Sequence, residues 1–152
     1  MALQPSSDRG KRSAPMAGTP RKRIVFRVKV LVVDNCSAVR ERLLDLIRSS
    51  DGVDAVWQAA DAAGALALAR DQPLDAAIVD LALGRDSGLD LLRELRALRS
   101  SIVLIVLTNS STEAYREACR RRGAHFFFDK SHDFEQAIAV LRQLAPSNGG
   151  PA

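Results

Sequence analysis

The sequence predicts an α/β protein: a doubly wound, five-stranded parallel sheet with helices on both faces. Three observations lead there. Five apolar, β-branched runs alternate with five stretches of helical period between residues 28 and 145. The first, third and fourth runs are apolar at almost every position, a pattern that fits strands buried on both sides by helices. Several runs stop on a charged or hydroxyl side chain, and right-handed crossovers would bring those carboxyl ends to one edge, where such sheets bind ligands.

The elements follow in order. VKVLVVD (28–34) is the first strand and ends on Asp34. In SAVRERLLDLIRSS (37–50), Val39, Leu43 and Ile47 recur every four residues, with Leu44 and Leu46 flanking that stripe, so a helix is expected with Ser37 as its N-cap. VDAVWQAA (53–60) is a short strand, and AAGALALARDQ (62–72) is a helix of strong formers stopped by Pro73. AAIVD (76–80) is a strand ending on Asp80, followed by an amphipathic helix, GLDLLRELRALR (88–99). IVLIVLT (102–108) has no charge and ends on Thr108. STEAYREACRRRG (111–123) is a helix closed by Gly123, AHFFFDK (124–130) a strand, and DFEQAIAVLRQLA (133–145) the last helix.

A chain of 152 residues suits one domain, and the low aromatic content of 5% calls for an aliphatic core. No stretch approaches the ~20 apolar residues of a bilayer span, and no secretory signal opens the chain, so a cytoplasmic location is expected. Cys36 and Cys119 stand far apart without a C-x-x-C pair, which excludes a disulfide scaffold. The net charge of +4 is unevenly placed: eight bases against one acid up to Val30 give +7, leaving −3 for the remainder. Residues 1–27 therefore read as a basic, disordered arm, 28–145 as the folded domain and 146–152 as a flexible tail, with Met16 as an alternative start. The arm could touch nucleic-acid phosphates or an acidic membrane surface without sequence specificity, but no helix-turn-helix accompanies it, so nucleic acid is a minor reading.

At the strand ends stand Asp34-Asn35, Asp80, Thr108 and Asp129-Lys130. Each has an ordinary role: an acid after a strand caps a helix or forms a turn, a threonine belongs in a strand, a lysine at an edge is solvated. Gathered at one edge, acids and an amide oxygen suit a hard cation such as Mg²⁺, an ammonium and a hydroxyl suit a phosphoryl group, and an aspartate can form an acyl phosphate. His125 and His132 lack metal-ligating partners, CRRRG (119–123) reads as a solvated helix end or a basic docking patch, and GRDSG (84–88) lacks the spacing of a nucleotide loop.

With these residues in this order, the chain resembles the receiver domain of two-component response regulators from about Val28 to Ala145. VLVVDN resembles that family's strand-1 acidic pair, IVDLALGRDSGLDLL its phosphoacceptor strand and following loop, with Gly88 at the loop glycine, and VLT and FFFDK its hydroxyl and lysine segments. The resemblance implies a flavodoxin-like strand order, 2-1-3-4-5. It implies that Asp80 accepts a phosphoryl group from a histidine kinase or phosphotransfer protein. Asp34, Asn35, Asp80 and the Ala82 carbonyl would hold Mg²⁺, and Thr108 and Lys130 would contact the phosphoryl group. Phe127 would be the switching aromatic, and helix 4, strand 5 and helix 5 the responsive surface, facing a protein target not named by the sequence. Such a domain is a phosphoacceptor in signalling rather than an enzyme in the ordinary sense.

Three positions depart from the family pattern. Asn35 replaces the second acid and removes one negative charge. Ser131 replaces the proline after the lysine, so a trans bond and a less constrained Lys130 loop are expected. Ala82 offers no side-chain hydrogen bond to a hydrolytic water, which predicts a long-lived phosphoryl group. Too little sequence follows residue 145 for an output domain, so the reading is a single-domain response regulator working by protein contact. The alternative is a pseudo-receiver acting as a phosphorylation-independent interaction module.

Overall fold

The computed structural model describes residues 28–144; residues 1–27, where the basic arm is expected, and 145–152, which include the expected tail, lie outside the described residues. The elements are β1 (Val28–Val33), α1 (Ser37–Arg48), β2 (Val53–Ala59), α2 (Ala62–Asp71), β3 (Ala76–Val79), α3 (Gly88–Leu98), β4 (Val103–Thr108), α4 (Glu113–Arg121), β5 (Ala124–Asp129) and α5 (Phe134–Leu144). The five strands form one parallel sheet in the order β2-β1-β3-β4-β5, as the resemblance implies.

The apolar runs follow from how the pleat meets two helical layers. Alternate residues point to opposite faces. Leu31, Val33, Ala77, Val79, Leu104 and Val106 pack with residues of α2, α3 and α4 on one side. Val30, Val32, Ala76, Ile78, Ile105 and Leu107 pack with α1 and α5 on the other. A strand buried on both faces has no place for a polar side chain until it leaves the sheet. Trp57 and Phe127 pack against the first layer, and Phe126 and Phe128 against the second, the latter two rings stacked with centroids 6.2 Å apart.

Local details differ from the sequence reading in several places. Ser37 is the first helical residue rather than the cap; Cys36 holds the N-cap position with no side-chain capping bond. The reason is that Asp34 Oδ1 already accepts the Cys36 N–H at 2.9 Å, so the strand-end carboxylate shapes the turn into α1. α4 starts later than residue 111, because Thr112 is its cap and accepts the Tyr115 N–H. It closes before Gly123, whose φ of +100° suits glycine. After β3 the chain makes an unpredicted two-residue antiparallel ladder, Ala82–Leu83 with Asp86–Ser87, turning at Gly84, where φ is +68°. Its strands are too short to carry a period that sequence can reveal.

Both cysteines are free, Cys36 exposed and Cys119 buried, and burial pushes the Cys119 thiol up to about 11. No cis peptide bond occurs among the described residues, in line with the trans bond expected before Ser131. None of the described helices is long and apolar enough to cross a membrane.

Two features are open to direct test. Gly88 opens α3 with its backbone pressed on the segment after Asp80: a Cβ there would lie 2.5 Å from Leu81 Cα and 2.8 Å from the Asp80 carbonyl oxygen. Relief would require moving the backbone that carries Asp80, so Gly88→Ala is expected to lower stability by ~1–3 kcal/mol in urea unfolding, and an unchanged midpoint would contradict the close approach. The second is His125, skipped by the β4–β5 register, which pairs Leu104 with Ala124 and Ile105 with Phe126. Its Nδ1 accepts the Leu104 N–H at 3.2 Å, so this nitrogen is unprotonated. Burial, then the nearby Arg96 guanidinium, lowers its pKa from the model-compound value of 6.5. The folded state therefore binds this proton less readily than the unfolded chain, and stability from this site is full above that value and declines as pH falls through it. His125→Gln, which keeps an acceptor without titrating, is expected to flatten the fall in urea midpoint between about pH 7 and 5.

Candidate functional site

The sheet delivers three charged side chains to one place at its carboxyl edge. Asp34 follows β1, and its N–H still donates to Ala59 O at 3.1 Å. Asp80 follows β3, and its N–H donates to Val33 O at 2.9 Å, so the two acids leave neighbouring strands side by side. Lys130 follows β5, and its N–H donates to Thr108 O at 2.8 Å. From there its side chain reaches back across the edge. Lys130 Nζ lies 2.7 Å from Asp34 Oδ2 and 2.7 Å from Asp80 Oδ2.

These groups are nearly withdrawn from water: Asp34 is 2% exposed and Asp80 6%, and the Lys130 side chain 11%. Two buried carboxylates in proximity would repel strongly; the shared ammonium makes the arrangement tolerable, as a buried charge needs a close partner. The remaining oxygens are also occupied, Asp34 Oδ1 by the Cys36 N–H and Asp80 Oδ1 by the Ala82 N–H at 3.2 Å. Burial works against the charge on Lys130, but its hydrogen bonds to Asp34 and Asp80 outweigh that and raise the ammonium pKa above its ordinary value.

Among the described residues, no other predicted residue makes a side-chain hydrogen bond to this triad. Thr108 is fully buried in β4, and its Oγ1 accepts the Ser110 N–H at 3.2 Å; it adjoins Lys130 through the backbone bond above. Asn35 is exposed, its amide nitrogen 3.6 Å from where a Cβ on Gly84 would sit, so it stands at the rim facing the loop after Asp80. Ala82 is exposed in the small ladder and tied to Asp80 through its N–H. Phe127 is half-buried under the Arg116 guanidinium, 4.7 Å above the ring, and its carbonyl accepts from Arg116 at 3.4 Å.

Two positioning contacts carry no sequence signal. Arg40 donates to the Asp34 carbonyl at 2.6 Å and to Gln58 Oε1 at 3.0 Å, tying α1, the Asp34 turn and β2 together. Arg42 lies 5.0 Å over the Phe134 ring beside Lys130 and Ser131, in a groove of about 440 Å³. Either arginine, read in sequence, is one more base on the polar face of a helix.

The donor chemistry fits a hard cation. The carboxylates are oxygen donors converging on one point, with the Asn35 amide at the rim and the Ala82 backbone held beside Asp80 through its N–H. No group of three or more His, Cys, Asp or Glu suited to a metal occurs among the described residues. Asn35 contributes a neutral amide at the rim rather than a third negative charge. With Lys130 included, the triad carries a net charge of −1.

A buried carboxylate pair bridged by an ammonium thus stands at the carboxyl edge of a five-stranded parallel sheet. The response regulator receiver domain family matches residues 30–142, and the chain belongs to that family. The response regulator MprA of Mycolicibacterium vanbaalenii is 35% identical over 127 residues, covering 80% of this chain and 54% of MprA. GacA of Pseudomonas aeruginosa is 26% identical over 117 residues, 77% of this chain and 55% of its own length. The chain thus spans about half the length of the curated relatives it matches. Among solved structures, a Burkholderia pseudomallei response regulator with a phosphorylated aspartic acid, a calcium ion and citrate aligns with a TM-score of 0.69 and 30% identity, covering 75% of this chain and 66% of that one. A CheY-like receiver of Methanospirillum hungatei shares the fold with a TM-score of 0.70 at 19% identity, over 78% of this chain and 93% of that one.

Replacing the neutral rim amide with an acid tests the charge argument. Asn35→Asp is expected to tighten Mg²⁺ binding by roughly tenfold, followed by titration of amide NMR shifts, because one added charge near a divalent ion outweighs the cost of placing it at an exposed rim. Unaltered affinity would show that residue 35 does not face the cation.

Proposed function

We propose that the chain is a phosphoacceptor module of two-component signalling, with Asp80 as the acceptor. The observation that supports this most directly is the Lys130 ammonium bridging buried Asp80 and Asp34 at the carboxyl edge of the sheet. An Asp80 carboxylate oxygen attacks the phosphorus of a phosphohistidine on a histidine kinase or phosphotransfer protein. The P–N bond breaks, and the departing imidazole takes up a proton from solvent. Asp34, Asp80, the Asn35 amide and the Ala82 carbonyl are the residues to hold Mg²⁺. When bound, Mg²⁺ neutralises charge on the phosphoryl oxygens during transfer.

The chain's own side chains do the rest. Lys130 exchanges one carboxylate partner for the incoming phosphoryl oxygens, keeping its charge compensated throughout. The Thr108 hydroxyl, already an acceptor for Ser110, retains its proton to donate. Its engagement alters the segment leading into α4 and, with Phe127, the surface formed by α4, β5 and α5. A protein target reading that surface is the output. Ala82 beside the acceptor presents no side-chain group to orient an attacking water, which favours a persistent acyl phosphate. Asn35 favours the second reading, a phosphorylation-independent interaction module, since it weakens the cation site.

Mass spectrometry after incubation with acetyl phosphate and Mg²⁺ separates the two. One phosphoryl adduct is expected, lost in Asp80→Asn, and slow to decay once the donor is removed. A wild-type chain that stays unmodified at saturating Mg²⁺, with no NMR response to beryllofluoride, would overturn the phosphoacceptor reading in favour of the constitutive module.

A further inference from the structure

Lys130 is held in place although Ser131 supplies none of the rigidity of a proline, so something else constrains its loop. We propose that Asp129 is the positioning residue that locks the lysine-bearing loop to the hydroxyl-bearing loop. This rests on the phosphoacceptor reading above and extends it to a residue outside the cation-and-phosphate set.

Asp129 forms the last register pair of the β4–β5 ladder, opposite Thr108. Beyond that pair the two chains part, one toward α4 and the other toward α5, with the Lys130 N–H to Thr108 O bond as the last main-chain link. The Asp129 carboxylate spans the gap. Its Oδ2 accepts the Ser111 hydroxyl at 2.9 Å, from the loop after Thr108. Its Oδ1 accepts the Ser131 N–H at 2.7 Å, from the loop that carries Lys130. An imino acid at 131 would have no such proton to give. The Ser131 N–H and the Ser111 hydroxyl together hold the Asp129 carboxyl below its ordinary range, as charge-assisted bonds should.

The backbone of Asp129 is pinned as well. Its N–H donates to Asp133 Oδ2 at 3.1 Å, and its carbonyl accepts the Asp133 N–H at 2.8 Å, fixing it to the start of α5. One carboxylate on an anchored backbone thus sets the spacing between Thr108 and Lys130, the two groups that must meet the same phosphoryl group.

The test uses the full chain with Asp129→Ala, Asp129→Asn, Ser111→Ala and the double variant Asp129→Ala/Ser111→Ala. Amide exchange is measured by NMR without Mg²⁺ or phosphodonor, reading the Ser110 N–H, which bonds Thr108 and does not touch Asp129. The labelling rate is measured with acetyl phosphate at saturating Mg²⁺. Asp129→Ala is expected to speed Ser110 exchange and slow labelling by roughly tenfold, while Mg²⁺ affinity stays within about twofold. Ser111→Ala should act in the same direction with Asp129 intact, and the double variant should be no worse than Asp129→Ala. Asp129→Asn, which can still accept from Ser131 and pair with Ser111, should stay near wild type. Wild-type values for either Ser110 exchange or labelling in the two alanine variants, or fully additive losses in the double variant, would overturn the proposal. If the wild-type chain takes no label at all, the phosphoacceptor reading fails instead, and Ser110 exchange still decides whether Asp129 holds the two loops.

Discussion

The ammonium of Lys130 between the carboxylates of Asp34 and Asp80 is the interaction on which the rest of this architecture depends. Two acids withdrawn from water on adjacent strands are tolerable only with a cation between them. The lysine supplying that cation comes from β5, two strands away from β3 in the sheet. Only a parallel order that places β1, β3, β4 and β5 with their carboxyl ends on one side lets a single side chain reach both acids. The fold is therefore the means of assembling a charge cluster from residues separated by nearly the whole domain, and the aliphatic core is what makes the edge rigid enough to hold it.

The same cluster explains how two acids withdrawn from water sit side by side in a folded edge. The ammonium satisfies one oxygen of each carboxylate, and backbone N–H groups satisfy the other. Asn35, exposed beside Gly84, adds an amide dipole to the rim rather than a charge. Arg40, donating to the Asp34 carbonyl, fixes the turn from behind through a neutral backbone group and leaves the carboxylate free to face Lys130.

Much of this was legible from residue order. The apolar runs gave both layers of the core, because strands covered on two faces lose the period-two pattern that would mark an exposed side. Asp34, Asp80 and Lys130 were legible as a set because each interrupts such a run at its end. What stayed hidden depends on distances that sequence spacing does not encode. Ser37 looks like a cap, yet the turn's N–H is taken by Asp34, six residues before Arg40 closes over the same turn. The departure at Ser131 reads as a lost constraint, whereas its freed N–H is a donor to Asp129. The contact of Ser111 with Asp129 crosses eighteen positions between two loops: Asp129 stands out at a strand end, but nothing in the order of residues links it to Ser111.

The short ladder after Asp80 has a consequence of its own. The Ala82 N–H is bonded to the Asp80 carboxylate, Asp86 Oδ2 accepts the Ala62 N–H at the start of α2, and Gly88 sits flush on Leu81. The segment 81–88 is thus fastened at its beginning, middle and end. On the Lys130 side, the loops after β4 and β5 are joined by the Lys130 N–H to Thr108 O bond and by the Asp129 carboxylate, which accepts from Ser111 and Ser131. Both flanks of the carboxyl edge are therefore stapled, one to the start of α2 and the other, through Asp133, to the start of α5, so each loop borrows its stiffness from a neighbouring helix.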